Sequence, residues 1–170
     1  MPFAHPLDNP IWSALHTEHS RFAIGSSIAR RYLPDIGPLS ATCDQTSASY
    51  DALRSLAGPS GLLVVFLEEP FASLPGWSLV RTGLLDQMIF QDAQAPQPAL
   101  LEPGATLRRL APADVPAMLE LTALTEPGPF RHRTIELGAF WGIFHGDRLL
   151  AMAGQRLQLP QFVEISAVCT

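Results

Sequence analysis

The first hydrophobic pattern along the chain has helical spacing. Asn9 before Pro10 is a typical helix start, because asparagine caps a backbone N–H group and proline fits the first helical position. The apolar residues that follow recur at roughly helical intervals and are Ile11, Trp12, Leu15, Phe22, Ile28 and Tyr32. This stripe predicts one buried helix, weakened at Gly25 and ended by Pro34.

The middle of the chain predicts shorter elements. A second helix is expected over residues 47–57, because a glycine and a proline follow it. Residues 62–67, LLVVFL, form a short and partly β-branched run, which is typical of a buried strand. Two further strands are predicted over residues 78–82 and 84–90.

Residues 91–105 are the best candidate for a linker, since proline, alanine and glutamine dominate them. They divide the chain into a first lobe, residues 1–100, which is expected to be a small α/β unit, and a second lobe, residues 101–170. The pattern in the second lobe predicts a strand at 106–110, a helix near Asp114, a loop at 125–133, a hairpin turning at 145–147 and a closing strand.

The closing strand, FVEISAVCT, alternates between two sets of side chains. Alternate side chains of a strand point to opposite sides of the sheet. One face is therefore expected to carry Val163, Ile165, Ala167 and Cys169. The other is expected to carry Glu164, Ser166, Val168 and Thr170.

Composition narrows the range of functions. All 11 basic residues are arginines, which excludes lysine Schiff-base chemistry and a lysine-dependent phosphate loop within this chain. The formal net charge is -5 and no basic cluster exceeds a pair, so no nucleic-acid partner is expected. No apolar run approaches the roughly 20 residues that span a bilayer, and the first residues do not resemble a secretory signal. We therefore expect a cytoplasmic protein without a membrane partner.

No metal site is predicted. Cys43 and Cys169 lie far apart and belong to no CxxC pattern, which favours buried structural cysteines. His16 and His19 would share one face of the first helix, but no third ligand accompanies them. An exposed polar helix face is the expected arrangement for this pair.

The second lobe resembles the bacterial two-lobed GNAT acetyltransferases. The resemblance rests on LRRLAPADVPAMLELTALTEPGPF, RTIELGAFWGIF, RLLAMAGQRL and, most specifically, FVEISAVCT. It implies a mixed α/β protein with an acyl-CoA N-acyltransferase fold, in which helices flank a mostly antiparallel sheet. It also implies transfer of an acetyl group from acetyl-CoA to a primary amine, carried by a small molecule or a peptide.

The resemblance assigns roles to three groups of residues. Val168, Cys169 and Thr170 would offer backbone groups to the pantetheine arm of acetyl-CoA. Glu164 would be the general base, although pairing with Arg156 is the alternative role for this carboxylate. Substrate binding is assigned to the loop residues Phe130, Arg131 and Arg133, which form a solvated loop in the alternative interpretation.

The chain departs from the family after Thr170. The family continues with a glycine- and arginine-rich turn that holds the cofactor's pyrophosphate at a helix N-terminus. Since this sequence ends before such a turn, we expect an incomplete domain, which puts catalysis by this chain in question. The alternative function is a non-catalytic binding module, or a homodimer, that uses the exposed last strand.

Overall fold

The computed structural model describes residues 5–58, 61–71, 74–91 and 100–170. Within these ranges the chain forms three α-helices and seven strands. The elements are α1 Pro10–His16, β1 Ala23–Gly25, β2 Ala29–Tyr32, β3 Ser40–Thr42, α2 Ser47–Ser55, β4 Ala105–Arg109, α3 Val115–Thr125, β5 Phe140–His145, β6 Arg148–Leu159 and β7 Phe162–Cys169. Strands β1-β2-β3 form one antiparallel sheet and β4-β5-β6-β7 a second. The predicted mixed α/β class is confirmed.

The first helix starts as expected but is much shorter. Asn9 caps α1, since its side-chain oxygen accepts a hydrogen bond from the Trp12 N–H at 3.2 Å. The predicted continuation to Pro34 is wrong, because the chain turns back on itself as β1 and β2. Gly25 permits this turn: its φ is +130°, and a Cβ there would lie 2.2 Å from the Ala29 carbonyl oxygen. Only glycine adopts such a conformation readily.

The strands predicted between residues 62 and 90 do not form in the described part of the chain. Val64 makes a single parallel bridge to Leu39, and the rest of the 62–67 run has no strand partner. Residues 78–91 form neither helix nor strand, and Leu84 and Met88 are almost fully exposed. A β-branched run becomes a strand only where a neighbouring strand pairs with it.

The second lobe follows the predicted order of strand, helix, loop, hairpin and strand. Asp114 begins the helical segment by accepting the Ala111 N–H at 2.8 Å, and its two oxygens bind Arg108 at 2.7 and 2.8 Å. The hairpin turns at Gly146, whose φ is +59°. The linker predicted over residues 91–105 lies mostly outside the described residues, so the boundary at residues 100 and 101 stays a prediction.

One strand, β6, connects two hydrophobic cores. Its first half contributes Leu149 and Met152 to a core beneath α3. Its second half contributes Leu157 and Leu159 to a core that also contains residues of the first lobe, namely Ile11, Ala14, Leu15, Phe22, Tyr32, Ile36, Leu39 and Ala41. The two lobes therefore share apolar packing across the predicted boundary.

The alternation of β7 is interrupted by a β-bulge. Ser166 pairs with Gly154 and Cys169 with Met152, so two residues of β7 oppose one residue of β6. Ala167 takes a φ of +51° within this bulge. The predicted single face of Val163, Ile165, Ala167 and Cys169 is consequently wrong. Val163 and Ile165 are exposed, whereas Cys169, beyond the bulge, is buried.

Candidate active site

Glu164 of β7 and Arg156 of β6 form a two-pronged ion pair across neighbouring strands of the second sheet. The Nη2 and Nε atoms of Arg156 donate to the two carboxylate oxygens of Glu164 at 2.6 and 3.1 Å. The Arg156 side chain is 13% exposed and the Glu164 side chain 30% exposed, so water only partly screens the attraction between them. The pairing considered as the alternative role of Glu164 is therefore present. An ionised carboxylate has about four lone-pair sites, so Glu164 can still accept further hydrogen bonds.

A second bulge places Arg156 beside Glu164. Gln155 pairs with Ile165 and Leu157 with Glu164, which leaves Arg156 as the additional residue of β6. Bulges redirect side chains and are common beside active sites. The two bulges, at Arg156 and at Ala167, flank the same stretch of β7.

These bulges border a small cavity of about 10 Å³. The Phe130 ring forms one wall and stands nearly perpendicular to Phe140, with ring centroids 5.8 Å apart. Neither the Arg156 Nη1 atom nor the Ser166 hydroxyl makes a hydrogen bond within the described ranges. The residues that line the cavity are Pro127, Gly128, Pro129, Phe130, Thr134, Phe140, Arg156, Ser166 and Ala167.

Of the three residues predicted to bind substrate, only Phe130 lines this cavity. Arg131 is exposed, and its backbone N–H donates to the Thr134 hydroxyl at 2.7 Å. The Arg133 guanidinium contacts Asp35 of the first lobe at 2.9 Å and Glu136 at 2.6 Å. Arg133 thus connects the two lobes, a contact that a loop sequence cannot reveal. Sequence reasoning missed Ser166 and Gly128, and it treated Arg156 only as a partner of Glu164.

The first lobe contributes a buried hydrogen-bonded pair, His19 and Tyr32. His19 Nδ1 is 2.7 Å from the Tyr32 hydroxyl, and its Nε2 is 3.1 Å from the Leu137 carbonyl oxygen. Because a carbonyl only accepts, Nε2 carries the proton and Nδ1 accepts from Tyr32. Burial lowers the pKa of His19, which favours the neutral ring. Burial also raises the pKa of Tyr32, and the nearby Glu164 charge adds to that rise.

The histidine pair predicted on an exposed helix face is therefore separated. His16 ends α1 and is exposed, whereas His19 lies beyond the helix and is 1% exposed. Within the described ranges, no three histidine, cysteine or acidic side chains come together as metal ligands. In the same part of the chain, no helix combines the length and apolar character needed to cross a bilayer.

The three residues predicted to meet the pantetheine arm occupy different environments. Val168 is 64% exposed, Cys169 is buried in the core beneath α3, and Thr170 is exposed. Thr170 also borders a larger groove of about 270 Å³ between α3 and the β5–β6 turn. Glu120 and Asp147 set two carboxylates against the single guanidinium of Arg148 in that groove. This charge balance does not favour a phosphate group there.

A solved structure matches almost the whole chain. It is the crystal structure of a protein from Novosphingobium aromaticivorans DSM 12444, described as an acetyltransferase from the GNAT family. The sequences are 32% identical, and the match covers 98% of this chain and 71% of that one, with a TM-score of 0.71. This chain belongs to the GNAT family. No protein-family model matches this chain, and no curated protein matches it.

Membership confirms the acyltransferase fold and the general activity that the resemblance implied. GNAT enzymes use an acyl-CoA co-substrate and transfer its acyl group. The match extends through the first lobe, where the sequence resemblance was only loose. In this GNAT chain, β7 is an edge strand: β6 is its neighbour on one side, and no described strand pairs with it on the other.

Proposed function

We propose that this protein transfers an acetyl group from acetyl-CoA to a primary amine. The observation that carries the proposal is the bulge at Ala167 on the open edge of β7. Beyond it, backbone groups of Val168 and Thr170 that do not pair with β6 would be available to the amides of an extended ligand. Cys169 would contribute through its backbone, since its side chain is buried.

Glu164 is the proposed general base. Acetyl-CoA would supply the activated acetyl group: the amine would attack its thioester carbon, the C–S bond would break, and the CoA thiolate would leave and take up a proton from water. The acceptor must lose a proton before its amine can attack. Glu164 would accept that proton while Arg156 holds the carboxylate in one orientation. A backbone N–H of residues 168–170 would donate to the oxygen that gains negative charge.

Thiol release tests both proposals. Purified protein is mixed with acetyl-CoA and a panel of primary amines, and the CoA thiol is measured over time. Glu164→Gln should lower kcat by about 10²- to 10⁴-fold and leave the affinity for acetyl-CoA unchanged. Glu69→Gln removes an exposed carboxylate and serves as the control. An unaltered rate and pH profile for Glu164→Gln would dispose of the base assignment.

The open edge of β7 also supports a second candidate, a homodimer. Val163, Ile165 and Val168 are all exposed beside this edge, and an unpaired edge invites pairing with another chain. If two copies pair there, acetyl-CoA and the second copy compete for the same backbone groups. Sedimentation velocity should then show a dimer that dissociates when acetyl-CoA is added.

A cytoplasmic location remains part of the proposal. The two cysteines, Cys43 and Cys169, are not bonded to each other. Free thiols suit a reducing compartment, where disulfides are rare.

A further inference from the structure

The Arg156 guanidinium has one arm that the protein does not use. Nε and Nη2 bind Glu164, while Nη1 points toward Gly128 and makes no hydrogen bond to the described residues. A Cβ on Gly128 would lie 3.6 Å from Nη1, so the glycine leaves room beside this atom. Gly128 has a φ of +129°, which few other residues adopt.

A second unused donor borders the same cavity. Ser166 lines it, and in the part of the chain that the structure describes its hydroxyl has no hydrogen-bond partner. The opposite wall consists of the Phe130 and Phe140 rings. A cavity of about 10 Å³ admits only a small group. Two donors at an apolar wall suit a small acceptor group such as one end of a carboxylate.

The neighbouring Glu164 further restricts the class of ligand that the cavity can bind. Its charge offsets that of Arg156 at 2.6 Å, so an anion alone would find no uncompensated cation. A ligand with both charges close together satisfies both partners, because its ammonium group faces Glu164 and its carboxylate faces Arg156. An amino acid has this arrangement.

We propose that the acceptor is an amino acid, whose carboxylate binds Arg156 Nη1 and the Ser166 hydroxyl while its amine lies beside Glu164. This inference rests on the proposed acetyl transfer and specifies its substrate class. Arg156 thereby both orients the base and selects the acceptor. Hydrogen bonds to charged groups predict a preference of about 10- to 100-fold over an acceptor without the carboxylate.

The test compares phenylalanine with phenylalanine amide in the CoA-release assay. The amide has the less basic amine, so more of it is unprotonated at pH 7, which biases the comparison against the proposal. The acid should nevertheless show the higher kcat/KM. Arg156→Lys keeps a charge beside Glu164 but loses the planar fork, so it should lower kcat/KM for the acid more than for the amide and abolish the preference. Arg81→Lys, at an exposed position, should leave the preference unchanged.

Three outcomes would overturn the inference. Equal kcat/KM for acid and amide would refute the carboxylate site and leave acetyl transfer intact. A preference that survives in Arg156→Lys would place the recognition elsewhere. Absence of CoA release with every amine would instead refute the proposed function. In that case NMR titration tests the carboxylate site without turnover. Phenylalanine, but not its amide, should shift the Arg156 Nε–H and Ser166 amide signals. Unshifted signals would refute the site.

Discussion

Replacing Tyr32 by phenylalanine removes one buried hydroxyl and keeps the ring. Tyr32 is 0% exposed and its hydroxyl lies 2.7 Å from His19 Nδ1, which is itself buried. Without that donor, the ring nitrogen is an unsatisfied acceptor in the core, which costs about 1–3 kcal/mol. For a domain of this size, the expected fall in Tm is about 2–12 °C.

Tyr50 provides a matched control for this substitution. It is 4% exposed, and its hydroxyl has no hydrogen-bond partner in the described part of the chain. Tyr50→Phe removes the same atom without breaking a hydrogen bond, and it relieves a buried polar group. Its free energy of unfolding should therefore stay equal to that of the parent protein or rise slightly.

Urea denaturation followed by tryptophan fluorescence measures both variants against the parent protein. With m-values of about 1–3 kcal/mol/M, Tyr32→Phe should shift the midpoint by several tenths of a molar or more. The reasoning fails if the two variants lose the same stability. It also fails if Tyr50→Phe is the more destabilising of the two.

Two further predictions concern pH and backbone conformation. Burial lowers the pKa of His19 in the folded protein below 6.5. The contribution of the neutral ring to the free energy of unfolding is therefore complete above pH 6.5 and is lost as the pH falls through the lower folded-state pKa. Urea midpoints at pH 7.5 and 5 should show this loss, and a midpoint that rises toward pH 5 would contradict it. Gly25→Ala should destabilise by about 1–3 kcal/mol, since its φ is +130° and its Cβ would meet Ala29. Gly37→Ala meets nothing within 4 Å and should be near neutral, so equal thermal melts for the two variants would refute this argument.

The second lobe was predictable because its signals are local. Asp114 begins its helical segment through a contact three residues away, and Gly146 supplies the conformation of a tight turn. The fold of the first lobe was not predictable, because the spacing of Phe22 and Tyr32 suits a helix as well as two short strands. The conformation of Gly25 decides between them.

The candidate site was predictable only in part. Glu164 and Phe130 were identified from the resemblance, and both lie at the site. The bulges that set the directions of Arg156 and Ala167 each come from a single extra residue, which an alternating pattern does not reveal. The ion pair of Arg133 with Asp35 joins residues 98 positions apart, so no local signal indicated it.

The shared core has a consequence for synthesis on the ribosome. Ile11 and Leu15 pack with Leu157 and Leu159, so the first lobe lacks part of its interior until β6 has emerged. At about 5–20 residues per second, the roughly 100 residues between α2 and the end of β6 take about 5–20 s to translate. During that interval the apolar residues of the first lobe that pack against β6 are not yet covered. Uncovered apolar surface of this kind is what chaperones shield during synthesis.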